Sequence, residues 1–583
     1  MTSGRVVAAR TPRRALPVLR GPRRELFAVP VVALVLAAAM TWPTLRRPAA
    51  TLPEDLGDPS LVAYLLGWAG HALRTDPARL WDTNAFHPER GTLAFTDSLL
   101  GYAPFGLVGS GLDAAVLRYN VLFVLAAALA FVGAYALARQ LGARWQGAAV
   151  AGAAFAYAPW RLAQAGHLQV LSTGGMALAL AMLARGHGYS FRHGYSKERV
   201  RPGWAAAGWG VACWQVMLGF GIGLPFAYAI GLVGVAAVIG WWVTGRPSLP
   251  RRLLVADGLG AVAFAAVGGL MALPYLRVVA EHPYARRSPE EAALYSPPFR
   301  GFFVAPEDSV AWGVAHEAAR AALSVPQEMT LFPGLMLLAL AAAGLFVSTW
   351  TGRQRLALAV ATAGSLLVAL GTQGPGGGEL TYLPLLEHAP GWDALRTPGR
   401  LVIWVTLGLC LLAAGTVSAA VSFVHERTAA SGPRGAQVVR AALVAPVLVV
   451  LLEGLNTTPH AEVPAAPAAV AYARDPALVL PSTWSSDTLV MLWTTGRYPA
   501  VVNGTSGFTP ASQAATREAT RTFPDAASVA HLRRAGVRTV VVLPDRLAGT
   551  PWEGALGRPI DGLGLERRAV GKAVVFTLDR VPE

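Results

Sequence analysis

Apolar runs return along almost the whole chain, most of them near the roughly 20 residues a helix needs to cross a bilayer. This recurrence constrains the fold more than any motif. Eleven runs are legible, over residues 26–42, 121–138, 146–158, 168–183, 204–220, 222–243, 254–276, 330–349, 356–370, 401–423 and 438–452. With 54% hydrophobic and only 14% charged residues, the chain is neither disordered nor an ordinary soluble protein, in which about 25% would be charged. Cys213 and Cys410 both lie inside apolar runs, which excludes a disulfide framework and a thiolate zinc site. The expected fold is an α-helical polytopic membrane protein of about eleven spans.

A net charge of +15 would suggest nucleic acid in a soluble protein. Here the excess Arg lies on the N-terminal segment 1–25 and on every second connector, whereas the alternate loops hold more acids than bases. That is the positive-inside pattern, and it calls for no nucleic acid. It predicts a cytoplasmic N-terminus, with the C-terminal segment outside. Thr-Trp-Pro after the first run is no small-residue cleavage site, so that run is expected to stay as an anchor.

The predicted organisation is a basic terminus (1–25), a multi-spanning domain (26–455) with a large first outer loop (43–118), and a soluble extracytoplasmic α/β domain (456–583). In the last, short β-prone runs at 477–480, 488–493, 500–503, 537–543 and 573–578 alternate with candidate helices at 510–521 and 526–535. Loops of the first one's length carry function more often than they merely connect.

The first outer loop is the informative one. Asp58-Pro59 reads as a helix start with Asp58 as N-cap, opening an interfacial helix on the outer leaflet. Glu54, Asp55 and Asp58 also form an acidic cluster just beyond the first span. A carboxylate there can serve as general base toward a hydroxyl, and Asp55 with Asp58 can hold a divalent cation such as Mg or Mn against a phosphate. Further on, Asp82, Asn84, His87 and Asp97 are interleaved with Trp, Phe and Tyr, as in carbohydrate sites and in solvated loops alike. Arg161, His167 and Gln169 fall between the third and fourth runs. Arg396 and Arg400, four apart, are predicted on one helical face. A guanidinium fork suits a phosphate, and a basic pair at a helix start opposes the macrodipole, so an anionic lipid phosphate gives them a reason. Asn503-Gly-Thr-Ser-Gly reads as a turn facing the site from the tail.

The order of these segments resembles the GT-C superfamily of polytopic glycosyltransferases, nearest an under-characterised bacterial branch. It comprises Gly57-Asp58-Pro59 after a first span, Asp82-Thr-Asn84-Ala-Phe-His87-Pro, Thr92-Leu-Ala-Phe-Thr-Asp97-Ser-Leu-Leu-Gly and Phe155-Ala-Tyr-Ala-Pro-Trp-Arg161 with His167-Leu-Gln169, followed by Phe332-Pro-Gly334, Pro390-Gly-Trp-Asp-Ala-Leu-Arg396-Thr-Pro-Gly-Arg400 and Val502-Asn503-Gly-Thr-Ser-Gly-Phe508. The resemblance implies transfer of a sugar, with inversion, from a polyprenyl-phosphate donor to an extracytoplasmic glycan, lipid or protein. The base would be a first-loop acid, which maps to Asp58, with Asp97 as second acid. Where relatives carry Ser-Glu-His, this chain has Thr96-Asp97-Ser98, so no histidine role is carried over. The competing readings are a lipid-linked glycan flippase or transporter, disfavoured because acids occur only at span edges, and a non-catalytic envelope-assembly protein.

Overall fold

The computed structural model describes residues 22–428 and 444–578. The basic segment up to residue 21 and the start of the last expected run, 438–443, lie outside the described residues.

Each expected run overlaps helix within the described residues, and five of those helices are long and apolar enough to cross a membrane: Leu112–Leu141, Leu168–Gly186, Phe220–Val243, Arg251–Glu281 and Pro398–Arg427. Pro22–Met40, Trp145–Tyr157, Pro202–Val216, Leu335–Gly344, Gly352–Ala369 and Ala445–Glu453 are shorter or more polar. The run at 330–349 is cut because Phe332-Pro-Gly334 turns the chain before the helix, with Gly334 at φ +103. The protein is a multi-pass membrane protein. Its inner helices, Leu112–Leu141 and Val402–Thr428, are largely covered, whereas Phe220–Val243 and Arg251–Glu281 present bare apolar flanks. Small residues let the inner backbones close up: a Cβ on Gly133 would stand 2.3 Å from the Gly174 carbonyl oxygen.

The tail domain carries a four-stranded sheet in the order Ala477–Leu480, Thr539–Val542, Ala573–Leu578, Leu565–Val570, the first pair parallel and the others antiparallel. The expected helices appear as Ala511–Ala519 and Ala526–Arg534. Three strand expectations change. The run at 488–493 belongs to the helix Trp484–Trp493, started by Thr483, whose Oγ1 accepts the Ser486 N–H at 3.2 Å; burial along its length, not alternation, explains its apolar side chains. The run at 500–503 makes a single bridge to the sheet at Val501. Leu565–Val570 went unpredicted because Glu566, Arg567 and Arg568 hide it, charges typical of an exposed edge strand.

The first loop and the tail form one body. Thr51–Pro53 pairs antiparallel with His460–Glu462. Further along, His87 N–H donates to Val501 O at 2.9 Å and Val501 N–H to Asn84 O at 2.8 Å. The helix Asp58–Thr75 does not lie bare on a leaflet: most of its residues, up to Ala72, are buried against the Trp484–Trp493 and Leu112–Leu141 helices and the segment Ala103–Gly106. A helix that is apolar all round needs cover on every side. At its crossing with that segment, a Cβ on Gly70 would sit 1.8 Å from the Gly106 carbonyl oxygen. Gly70→Ala is therefore expected to destabilise by about 3 kcal/mol, the upper range of overpacking, and to lower Tm in detergent. Gly258→Ala, at a position open within 4 Å, is the control and is expected to leave Tm unchanged; equal melting of the two variants would refute the crossing.

Candidate active site

Asp58 is the first residue of its helix, not the cap, which is Gly57. Its carboxylate is therefore free of capping and turns across to His167, with Oδ2 and Nε2 2.8 Å apart. His167 stands where the turn Pro159–Gln164 gives way to Leu168–Leu171, its N–H donating to Gln164 O at 2.9 Å. Glu54 supports this junction from behind. Its backbone is left-handed, φ +68, and its carboxylate accepts the Gly166 N–H. Asp55 closes its own turn, with Oδ1 accepting the Gly57 N–H at 2.8 Å.

The environments drive these carboxyls apart. Burial alone would raise Asp58, but the His167 hydrogen bond and charge, with Arg400 and Arg396, outweigh it and hold the group below the usual aspartate range. Burial raises Glu54, against the pull of His167 and with the push of Asp55, to about 7. Burial likewise raises Asp97, opposed by the Gly221 N–H and by Arg400. One carboxyl is thus lowered and two are raised, a separation typical of acid–base sites.

Because Glu54 binds its proton more tightly in the folded state, its contribution to stability is complete below about pH 4.5 and is lost as pH rises to about 7. Glu54→Gln is expected to flatten that decline in chemical denaturation measured between pH 4.5 and 8. Parallel slopes for variant and wild type would count against the assignment.

A cavity of about 330 Å³ opens in front of Asp58. The structure brings Asp58, Asp97, His167, Gln169, Arg396 and Arg400 together in its wall. His167 Nδ1 and Gln169 Oε1 are buried without a protein partner, so the wall holds hydrogen-bonding capacity for a polar ligand. Arg396 and Arg400 do not share a helical face. Arg396 lies outside any helix or strand, Arg400 is in the turn Pro398–Leu401, and the helix starts after both. Arg400 grips Glu328 with two hydrogen bonds, 3.2 and 2.5 Å. Arg396 is freer, 4.0 Å from Glu291 and over the Tyr295 ring at 5.1 Å.

The remaining expected site residues serve the frame. Asp82 Oδ1 accepts the Gly91 N–H at 2.7 Å. Asn84 accepts from the Tyr64 hydroxyl at 2.7 Å and donates to Pro499 O at 2.6 Å, and His87 Nε2 lies 3.2 Å from Ala535 O. Asp82 thus closes the loop on itself, whereas Asn84 and His87 tie it to the tail. Arg161 is buried away from the cavity, bonded to Leu171 O at 3.2 Å and Thr173 Oγ1 at 2.6 Å and stacked on Trp160. Asn503 is buried in the tail, donating to Val479 O and Asp487 Oδ1 at 2.8 and 2.6 Å; its neighbours Ser506, Gly507 and Phe508 reach the cavity in its place.

Sequence reasoning passed over Arg286, Arg287 and Trp484, which also line the cavity, and Glu328, which anchors Arg400. The Arg286-Arg287 doublet carried a signal, since it lies in a loop where the positive-inside pattern puts an excess of acids. Among the described residues no group of three or more His, Cys, Asp or Glu is disposed to hold a metal ion. Asp55 and Asp58 are engaged separately, so these two do not fit a shared cation and no step is routed through one.

No family model and no curated protein matches the chain. Among solved structures it is similar to the arabinofuranosyltransferase AftD from Mycobacteria, at 18% identity and TM-score 0.53, over 96% of this chain and 42% of that one. Matches also include ArnT from Cupriavidus metallidurans (17% identity, TM-score 0.38, 96% of this chain and 98% of that one). A third is the Archaeoglobus fulgidus oligosaccharyltransferase (14%, 0.44, 88% and 69%). The likeness to AftD is one of fold: this chain has the GT-C fold.

Proposed function

We propose that the protein transfers a sugar from a polyprenyl-phosphate donor to a hydroxyl of an envelope glycan, lipid or protein, with inversion, on the extracytoplasmic face of a bacterial inner membrane. The observation that carries this reading is Asp58, paired to His167, opening into the same cavity as Arg286, Arg287, Arg396 and Arg400. The GT-C fold, which it shares with a protein named as an arabinofuranosyltransferase, supports it.

In the proposed step the acceptor oxygen attacks the anomeric carbon, its proton passes to Asp58, and the bond from that carbon to the phosphate oxygen breaks. His167 holds the carboxylate in line. The arginines meet the charge that grows on the departing phosphate, where preorganised donors help most. Asp97, in the same cavity wall, hydrogen-bonds the sugar. Arg396→Gln removes the least committed guanidinium and is expected to lower kcat/KM roughly a hundredfold, with expression and Tm retained.

The test is turnover of the purified protein in liposomes with a panel of polyprenyl-phosphate sugars and envelope acceptors. A glycosylated product supports the reading. Movement of the donor lipid between leaflets with no covalent product across the panel would replace it with the flippase reading.

A further inference from the structure

A second polar cavity lies at the opposite end of the helical bundle. The helix Leu112–Leu141 starts beside the tail domain, where Gly111 N–H donates to Thr495 O at 3.2 Å, and its 30 residues carry the chain about 45 Å away. There a small hairpin, Tyr189–Ser190 paired with Gly194–Tyr195, is clamped to the helix end. Phe191 N–H donates to Leu141 O at 3.0 Å and Gln140 Nε2 to Tyr189 O at 2.9 Å. Between hairpin and helices is a cavity of about 470 Å³ into which Arg139, Arg185, Arg192, Arg199, Arg201 and His193 converge, with no carboxylate in its wall.

Part of this charge is accounted for internally. Arg139 pairs with Glu25 at 2.9 Å. Arg201 donates to Glu198 O and Val200 O, both at 2.9 Å, and Arg185 lies 4.5 Å over the Trp204 ring. Arg139 and Arg185 also end helices, where a cation is favoured by the macrodipole. None of this explains Arg192 and Arg199. Neither has a side-chain hydrogen bond or ion pair among the described residues, and Arg199 has only the nearby charge of Glu198, itself bonded to Ser196. Fixing membrane orientation requires basic residues near a span end; it does not require them to converge on one hollow. Guanidinium forks around a hollow are the chemistry of phosphate recognition. Trp145, three residues from Gly142 in its wall, is half exposed, the kind of side chain found where a helix end meets lipid headgroups.

We propose that this cavity is a binding site for a phosphate-bearing anion, independent of the candidate active site. The phosphate comes from an anionic phospholipid headgroup or from a free phosphate compound, and the same donors would take either.

The full-length protein is placed in nanodiscs of neutral phosphatidylcholine, in nanodiscs containing phosphatidylglycerol, and in neutral nanodiscs with inorganic pyrophosphate, and its Tm is measured in each. Arg192→Gln/Arg199→Gln removes the two arginines without internal partners. Arg251→Gln/Arg252→Gln removes equal charge from the exposed start of the Arg251–Glu281 helix, outside the cavity, and serves as control. The expected result is a rise in Tm with phosphatidylglycerol in wild type and control that is absent from Arg192→Gln/Arg199→Gln. Loss of phosphatidylglycerol retained through purification, read by native mass spectrometry, should accompany it. A matching rise with pyrophosphate in neutral discs identifies a free phosphate compound as ligand; a rise with the lipid alone identifies the headgroup. The proposal is overturned if the cavity variant responds as wild type does, or if wild type responds to neither probe.

Discussion

Asp58→Asn in the liposome-reconstituted protein is expected to lower kcat by roughly 10²–10⁴-fold, the range ascribed to a general base, while Tm and membrane insertion stay near wild type. The asparagine preserves shape and can still meet His167, but it cannot accept the acceptor's proton. Asp58 pairs with His167 through a side chain that remains one-third open, 33% exposed, toward the cavity, so loss of its charge is expected to leave the fold standing. A loss of turnover without a loss of fold therefore separates catalysis from helix capping. His167→Gln should fall between wild type and Asp58→Asn, because it removes the group that holds the carboxylate below its usual range but leaves the carboxylate. Its pH–rate profile should lose its acidic plateau, as the Asp58 carboxyl drifts upward and protonates sooner. Full turnover by Asp58→Asn would end the assignment of the base and leave the fold untouched.

The second large effect concerns stability. Arg400 and Glu328 form a nearly buried pair joined by two hydrogen bonds, with Gln164 Nε2 adding a third to the carboxylate at 3.3 Å. Arg400→Gln leaves Glu328 charged in a site that excludes water, and breaking one side of such a pair costs about 3–5 kcal/mol. Arg400→Gln/Glu328→Gln should recover most of that loss, because two amides can bond to each other without an orphaned charge. The coupling energy from the four proteins, measured by denaturation in detergent, is expected to exceed 2 kcal/mol, near the upper end for residues in contact. Additive losses would mean that Arg400 is held by something other than Glu328. If the double variant folds yet stays inactive while Arg396→Gln retains residual turnover, Arg400 also serves the phosphate.

Hydropathy made the helical layer legible because hydrocarbon solvent imposes a composition on any segment that crosses it. Span lengths were less legible: Pro and Gly near 332–334 cut a helix inside an apolar stretch, and a run buried among other helices reads like one that faces lipid. At the site, Asp58, His167, Arg396 and Arg400 could be picked out because each sits at the edge of an apolar run, where a charge needs a reason. The Arg400–Glu328 pair could not, since its members are 72 residues apart and neither position is unusual locally. Asn84, His87 and Asn503 misled for a physical reason. A buried joint between two polar segments requires side-chain donors and acceptors for backbone groups, and those residue types are also the ones that recognise sugars.

The pairing of Thr51–Pro53 with His460–Glu462 has a consequence for biogenesis. The strand next to the acidic turn emerges early in translation, and the strand that completes it emerges only near the end. Throughout the interval the intervening helices are made while Thr51–Pro53 lacks its partner, so a chain that stalls before His460–Glu462 keeps an unpaired strand beside Asp58. Synthesis order thus leaves the joint between the first loop and the tail open until both strands exist.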